Sequence, residues 1–119
     1  MTAYERAAQI WSVLGLAAWN RQVLTYEMVG RLIGVPQQGL GHLLEPIQSY
    51  CMVHKLPPLT SLVVSRQTGL PSPGFVAAQN VPLEQVRVFE FDWLEHTAPT
   101  PELLEQAAKQ LPSNGIPPP

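Results

Sequence analysis

Three features of the sequence predict an α+β domain, a winged helix-turn-helix with an extra C-terminal strand/helix segment. Two helical apolar stripes, Val29-Leu32-Ile33 and Leu40-Leu43-Leu44-Ile47, lie either side of a glycine corner at Gly34. A short β-branched run from Leu59 to Ser65 then leads into the turn signal Gln67-Thr68-Gly69. A further helical stripe begins after Thr100. The predicted division is a winged-helix-like domain over 1–97, with a C-terminal helix and proline-rich tail over 98–119.

The first helix opens at Thr2-Ala3-Tyr4-Glu5, a capping box in which the Thr hydroxyl and the Glu carboxylate each accept a terminal N–H. Tyr4, Ala7, Ala8, Trp11, Leu14 and Ala18 recur at helical spacing until Trp19-Asn20. Thr25 caps the second helix, with Leu24 and Val29 placed as a hydrophobic staple, and Gly34 followed by Pro36 stops it. The third helix begins around Pro36-Gln37, and Pro46, having no N–H, is expected to kink or divide it.

The run 59–65 reads as a strand, and Leu70 to Phe75 reads as a stiff, proline-bearing return, so that strand, turn and return make a wing. Pro82 opens a short helix through Val86 and Arg87; Phe89, Phe91 and Trp93 then alternate with Glu90 and Asp92 as in a strand. Thr100-Pro101-Glu102 combines cap, N1 proline and first-turn acid, and Leu103, Leu104, Ala107, Ala108 and Leu111 supply the apolar stripe. The last eight residues read as disordered or polyproline-like.

Charged residues make up 13% of the chain, about half the usual share, which favours a surface partly covered by a partner. The formal charge of −2 argues against a general, charge-driven nucleic-acid binder. The charge is nevertheless uneven. Residues 1–87 hold six Lys and Arg against four Glu, a net +2, whereas residues 88–119 hold Lys109 against five acids, a net −4. Cys51 is the only cysteine, which excludes an intramolecular disulfide; with no secretory leader pattern and no long apolar run, the expected setting is cytoplasmic and off the membrane.

Two helices meeting at a tight turn need facing apolar residues, a small residue where backbones approach and a corner that tolerates positive φ. Val29, Ile33, Val35, Leu40 and Leu43 meet the first need, Gly30 the second and Gly34 the third; the alternative is an ordinary helical hairpin. In the helix-turn-helix reading the outward residues of the third helix are Gln37, Gln38, Gly41, His42 and Glu45. Glutamines read adenine edges and a helix N-terminus holds phosphate without side-chain charge, whereas Glu45 repels it. Gly39 and Gly41 are easiest to explain if another backbone, nucleic acid or protein, comes close.

From Ile10 to Phe75, about half the chain, the sequence resembles the C-terminal winged-helix domain of O6-alkylguanine-DNA alkyltransferases and the related alkyltransferase-like proteins. The resemblance rests on "RQVLTYEMVGRLIGVPQQGLGHLL" and, in part, on "LPPLTSLVVSRQTGLPSPGF". It places Tyr26 on the family tyrosine that contacts and turns the target phosphate. Gln38 falls where the family has the arginine that fills the hole left by a flipped base, and a residue near Thr60 falls at the reactive cysteine. The Pro-Cys-His-Arg motif is absent, so the resemblance implies DNA binding without alkyl transfer. Residues 47–55 stand as an insertion relative to the family.

Cys51 and His54, three apart, invite a metal or a thiolate nucleophile, but with few other ligands the plainer reading is a buried structural cysteine. His42 reads as an exposed histidine or as a contact residue, and Tyr26 as a phosphate contact or a packing residue. Arg31 and Arg66 flank the third helix as phosphate anchors or are ordinary surface arginines. The aromatic stripe 89–93 stacks on bases or, with its interleaved acids, belongs to a core strand or dimer seam. No nucleophile set, phosphate loop or carboxylate pair emerges, so neither an enzyme nor a cofactor is expected. The expected function is a non-enzymatic DNA-binding winged-helix protein, a degenerate alkyltransferase-like or regulatory factor, bound to double-stranded DNA through Tyr26, Arg31, Gln37, Gln38, Gly41, His42 and Arg66. The alternative is a protein-interaction or oligomerisation module using the same surface toward a protein partner or a second copy.

Overall fold

Helix α1 (Ala3–Trp19) starts where the capping box predicts, with Thr2 Oγ1 accepting from Glu5 N at 3.1 Å and Glu5 Oε1 accepting from Thr2 N at 3.2 Å. The computed structural model describes residues 1–71 and 80–111. After α1 come β1 (Leu24–Thr25), α2 (Tyr26–Ile33), a 3-10 turn at Gln37–Gly39, α3 (Leu40–Val53), a second 3-10 turn at Leu59–Leu62 and β2 (Val63–Val64). Helices α4 (Val81–Glu90) and α5 (Pro101–Gln110) complete the described chain. The architecture is α+β and mostly helical, with one small two-stranded sheet among the described residues.

Helix α2 is bounded as the turn chemistry requires. Thr25 Oγ1 accepts from Met28 N at 3.1 Å, and Gly34 takes the left-handed conformation, φ 75°, at the other end. The polypeptide then doubles back so closely that a Cβ on Gly30 would sit 2.6 Å from the Val35 carbonyl oxygen. Both glycines therefore have the roles predicted for them. Helices α1 and α3 make similar endings without glycine. Arg21 (φ 54°) and Lys55 (φ 56°) stand in the left-handed region while Gln22 N donates to Ala17 O and Leu56 N to Cys51 O.

Three expectations are corrected. Pro46 does not divide the third helix: α3 runs unbroken from Leu40 to Val53 because Leu43, Leu44, Ile47, Tyr50 and Cys51 form one buried stripe across the proline. Within that helix Ile47 to Cys51 are all buried. The strand predicted over 59–65 shrinks to Val63–Val64, since Leu59 to Leu62 close into a 3-10 turn with Ser61 N donating to Pro58 O at 2.9 Å. The aromatics 89–93 form no strand: Phe89 lies in α4, Phe91 ends it, and Trp93 turns inward to donate from Nε1 to Val88 O at 2.8 Å.

The two strands pair in parallel, Leu24 with Val63 and Thr25 with Val64. A parallel pair needs a long crossover, which α2 and α3 supply. The turn after β2 forms as predicted, with Gly69 at φ 71° and its N–H donating to Ser65 O at 2.8 Å, whereas residues 72–75 of the predicted return over 70–75 lie outside the described residues, as does the tail 112–119.

Trp11 is the hub of the core, edge-on to Tyr50 of α3 at 5.3 Å and to Trp93 at 5.5 Å between ring centroids. Leu104 and Ala107 of α5 belong to the same core as Leu14, Leu40 and Ile47, and Ser49 Oγ donates to Leu111 O at 2.7 Å. Leu103, expected in the α5 stripe, is instead 43% exposed. Gln85 Nε2 ties α4 to the second 3-10 turn through Ser61 O, 2.8 Å. No helix among the described residues is long and apolar enough to cross a membrane.

Candidate nucleic-acid interface

The start of α2 and the turn after β2 are brought together by the parallel sheet. Pairing of Thr25 with Val64 fixes Tyr26 and Glu27 one and two residues beyond β1, and Ser65 and Arg66 one and two residues beyond β2. Ser65 then locks the turn: its Oγ accepts from Gln67 N at 3.2 Å and Thr68 N at 3.4 Å, and its N–H donates to Leu70 O at 2.7 Å. A cleft of about 190 Å³ opens between these segments, lined by Tyr26, Glu27, Gln37, Ser65 and Arg66 among others.

Glu27 lies at the centre of the charge. Its Oε1 is 3.2 Å from Arg31 Nη2, one helical turn on, and its Oε2 is 3.1 Å from Arg66 Nη1. Both arginine side chains are otherwise in solvent, 81% and 77% exposed, whereas the Glu27 side chain is 38% exposed. A second hollow, lined by Glu27, Gly30, Arg31 and the corner Gly34 to Gln37, shares Glu27 and Gln37 with the cleft, so the two form one continuous face.

Tyr26, Arg31, Gln37 and Arg66 are thus gathered on this face. Gln38 is exposed in the adjoining 3-10 turn, and Gly41 is exposed in the first turn of α3, where an added Cβ would meet nothing within 4 Å. Gly39, by contrast, has an internal neighbour, Val35 Cγ1, 3.5 Å from where its Cβ would be. His42 is exposed but lines a different hollow, with Tyr4, Glu45, Pro46 and Ser49.

No family model, curated protein or solved structure matches the chain. Its chemistry therefore rests on its own residues. Cys51 is 1% exposed, and burial pushes its thiol up to about 12, against a smaller opposing contribution from a backbone hydrogen bond at Leu59. A thiol buried and raised in this way stays protonated at neutral pH and is a poor nucleophile. His54 stacks on Tyr50 instead, 4.2 Å between ring centroids. Among the described residues no three of His, Cys, Asp and Glu are grouped to hold a metal ion. Thr60, nearest the reactive position in the resemblance, is 4% exposed, and its hydroxyl has no partner.

Sequence reasoning missed Glu27. Its spacing to Arg31, four residues, was a usable sign of an ion pair on a helix; its bridge to Arg66, 39 residues away, was not foreseeable without the register of the sheet. It also missed Arg6, whose Nη1 donates to the Ile33 carbonyl and so holds the end of α2 against α1.

Proposed function

We propose that the protein is a non-enzymatic, winged-helix-type binder of double-stranded DNA, an alkyltransferase-like or regulatory factor that does no chemistry on its target. One observation carries this reading: Arg66, from the turn after β2, and Arg31, from α2, converge with Tyr26 and Gln37 on the face that holds the helix-turn-helix corner. Two arginines and the start of a capped helix are the groups that position a protein on phosphates, and the exposed amides of Gln37 and Gln38 are suited to base edges. The inert Cys51 supports the absence of covalent transfer.

Fluorescence anisotropy with a plain duplex and an O6-methylguanine duplex, each at low and physiological salt, tests the reading. Binding is expected at low salt, with a log–log salt slope near the roughly −2 that two phosphate contacts give. It is expected to vanish in the double variant Arg31→Glu, Arg66→Glu while the helical circular dichroism persists. Unchanged affinity in that variant removes the proposal.

A second reading, a protein-interaction or oligomerisation module, is favoured by Met28 and Leu32, one helical turn apart on α2 and 47% and 64% exposed, and by the open space at Gly41. It requires concentration-dependent association in sedimentation, broken by Gly41→Arg.

A further inference from the structure

We propose that Glu27 is an internal stand-in for phosphate, whose carboxylate occupies the two guanidinium groups that a nucleic-acid backbone would engage and so sets how tightly this face binds DNA. The inference rests on the DNA-binding reading above and adds to it the residue that governs affinity.

Each carboxylate oxygen takes one arginine, Oε1 with Arg31 Nη2 at 3.2 Å and Oε2 with Arg66 Nη1 at 3.1 Å. One anion held by two guanidinium groups from separate elements is the arrangement a bridging phosphate takes with the same pair. The second pairing is not an accident of helical spacing. Arg66 comes from 39 residues away, on a turn that Ser65 and Gly69 hold in shape, so its position is prescribed by the fold.

The exposures are consistent with displacement. The arginine side chains lie in solvent, while Glu27 is the less exposed partner, lining about 190 Å³ of open space with Tyr26, Gln37 and Ser65. The arginines are free to swing outward to an incoming phosphate; Glu27, in the first turn of α2 where the helix field favours an anion, need not move. Solvent-exposed pairs of this kind are individually weak. They are strong enough to lower the affinity of the empty face and weak enough for a polyanion to break. With Glu27 ionised the three groups sum to one positive charge, which accounts for a DNA-type corner on a chain of low net charge.

A merely structural Glu27, fastening the turn after β2 to α2, makes the opposite prediction: removing its charge loosens Arg66 and weakens binding. The experiment measures a fluorescein-labelled duplex against the full chain and its Glu27→Gln and Glu27→Ala variants across a salt series, with thermal unfolding of each. Both variants are expected to bind about tenfold more tightly at low salt, since two exposed pairs are no longer broken on binding. The gain is expected to disappear when Arg31→Ala and Arg66→Ala are added. Equal or weaker binding by both variants, beside a wild type that binds, overturns the role of Glu27 and leaves the DNA-binding reading standing. Failure of wild type and variants alike to bind at low salt overturns both.

Discussion

Replacing Gly30 by alanine tests the geometry of the corner directly. The new Cβ would lie 2.6 Å from the Val35 carbonyl oxygen, 3.6 Å from Gln37 N and 3.7 Å from Gln37 Cα. A relaxed carbon–oxygen contact is about 3.3 Å or more, so the backbone must open by about 0.7 Å. No side chain is present there to rotate away. The opening also strains the bond in which Val35 N donates to Gly30 O at 2.9 Å. Overpacking of this kind costs about 1–3 kcal/mol, and the helix preference of alanine over glycine returns up to about 1 kcal/mol. The expected net loss is about 1–2 kcal/mol, or roughly 4–8 °C in Tm for a domain of this size. Gly41→Ala is the matched control: it lies inside α3 with nothing within 4 Å and is expected to gain about 0.5–1 kcal/mol. Urea and thermal denaturation, followed by circular dichroism, measure both. A Gly30→Ala protein as stable as wild type would refute the close approach of the corner to α2, and with it the helix-turn-helix geometry.

Two further outcomes follow from the core. Because burial raises the Cys51 thiol from 9.0 to about 12, the folded chain holds a proton that the unfolded chain releases above pH 9. Stability is therefore whole below pH 9 and falls by roughly 1 kcal/mol per pH unit between there and about 12, with Tyr50, also raised by burial, acting in the same direction. Denaturation of wild type and Cys51→Ala across that range checks it, the variant showing the shallower decline. Leu104→Ala is expected to cost about 2–5 kcal/mol, since Leu104 is fully buried in the common core. A loss below about 1 kcal/mol in chemical denaturation would mean that α5 is peripheral to that core.

Helix starts were legible because they are written locally. Thr2, Thr25 and Thr100 each accept an N–H three residues on, and a cap is visible in a few consecutive letters. The Gly34 ending was legible for the same reason, whereas Lys55 reaches the left-handed region without the residue that usually marks it. The stretch 59–65 misled because a run of consecutive buried residues, Leu59 to Val64, suits a 3-10 turn packed under α1 as well as a buried strand, and periodicity does not separate the two. The aromatics 89, 91 and 93 alternate for an unrelated reason: α4 ends at Glu90, and the chain folds back to bring Trp93 under its last turn. For the candidate interface, the arginines were visible as residues but their convergence on Glu27 was not. It follows from the pairing of Leu24 with Val63 across nearly 40 residues, a register that no local pattern encodes.

That register also sorts the chain's charge in space, and the sorting narrows the proposed footprint. Arg31 and Arg66 stand on the face of the cleft, while Glu5, Glu102 and Glu105 line a separate hollow between the starts of α1 and α5. Tyr4 lines that acidic hollow and also the one that holds His42 and Glu45, so the outward His42 belongs to the acidic side of the molecule. On the proposed reading a polyanion is favoured at the arginine face over the acidic hollow, where Lys109 offsets only Glu105. Of the residues singled out from sequence, the proposed contact surface then keeps Tyr26, Arg31, Gln37, Gln38 and Arg66, with Gly41 at its margin. His42 shares its hollow with Glu45, so a phosphate brought to it would also meet that carboxylate. On the proposed DNA-binding reading, the low total charge means that affinity would depend on two placed arginines and the fit of the corner, not on a general positive surface.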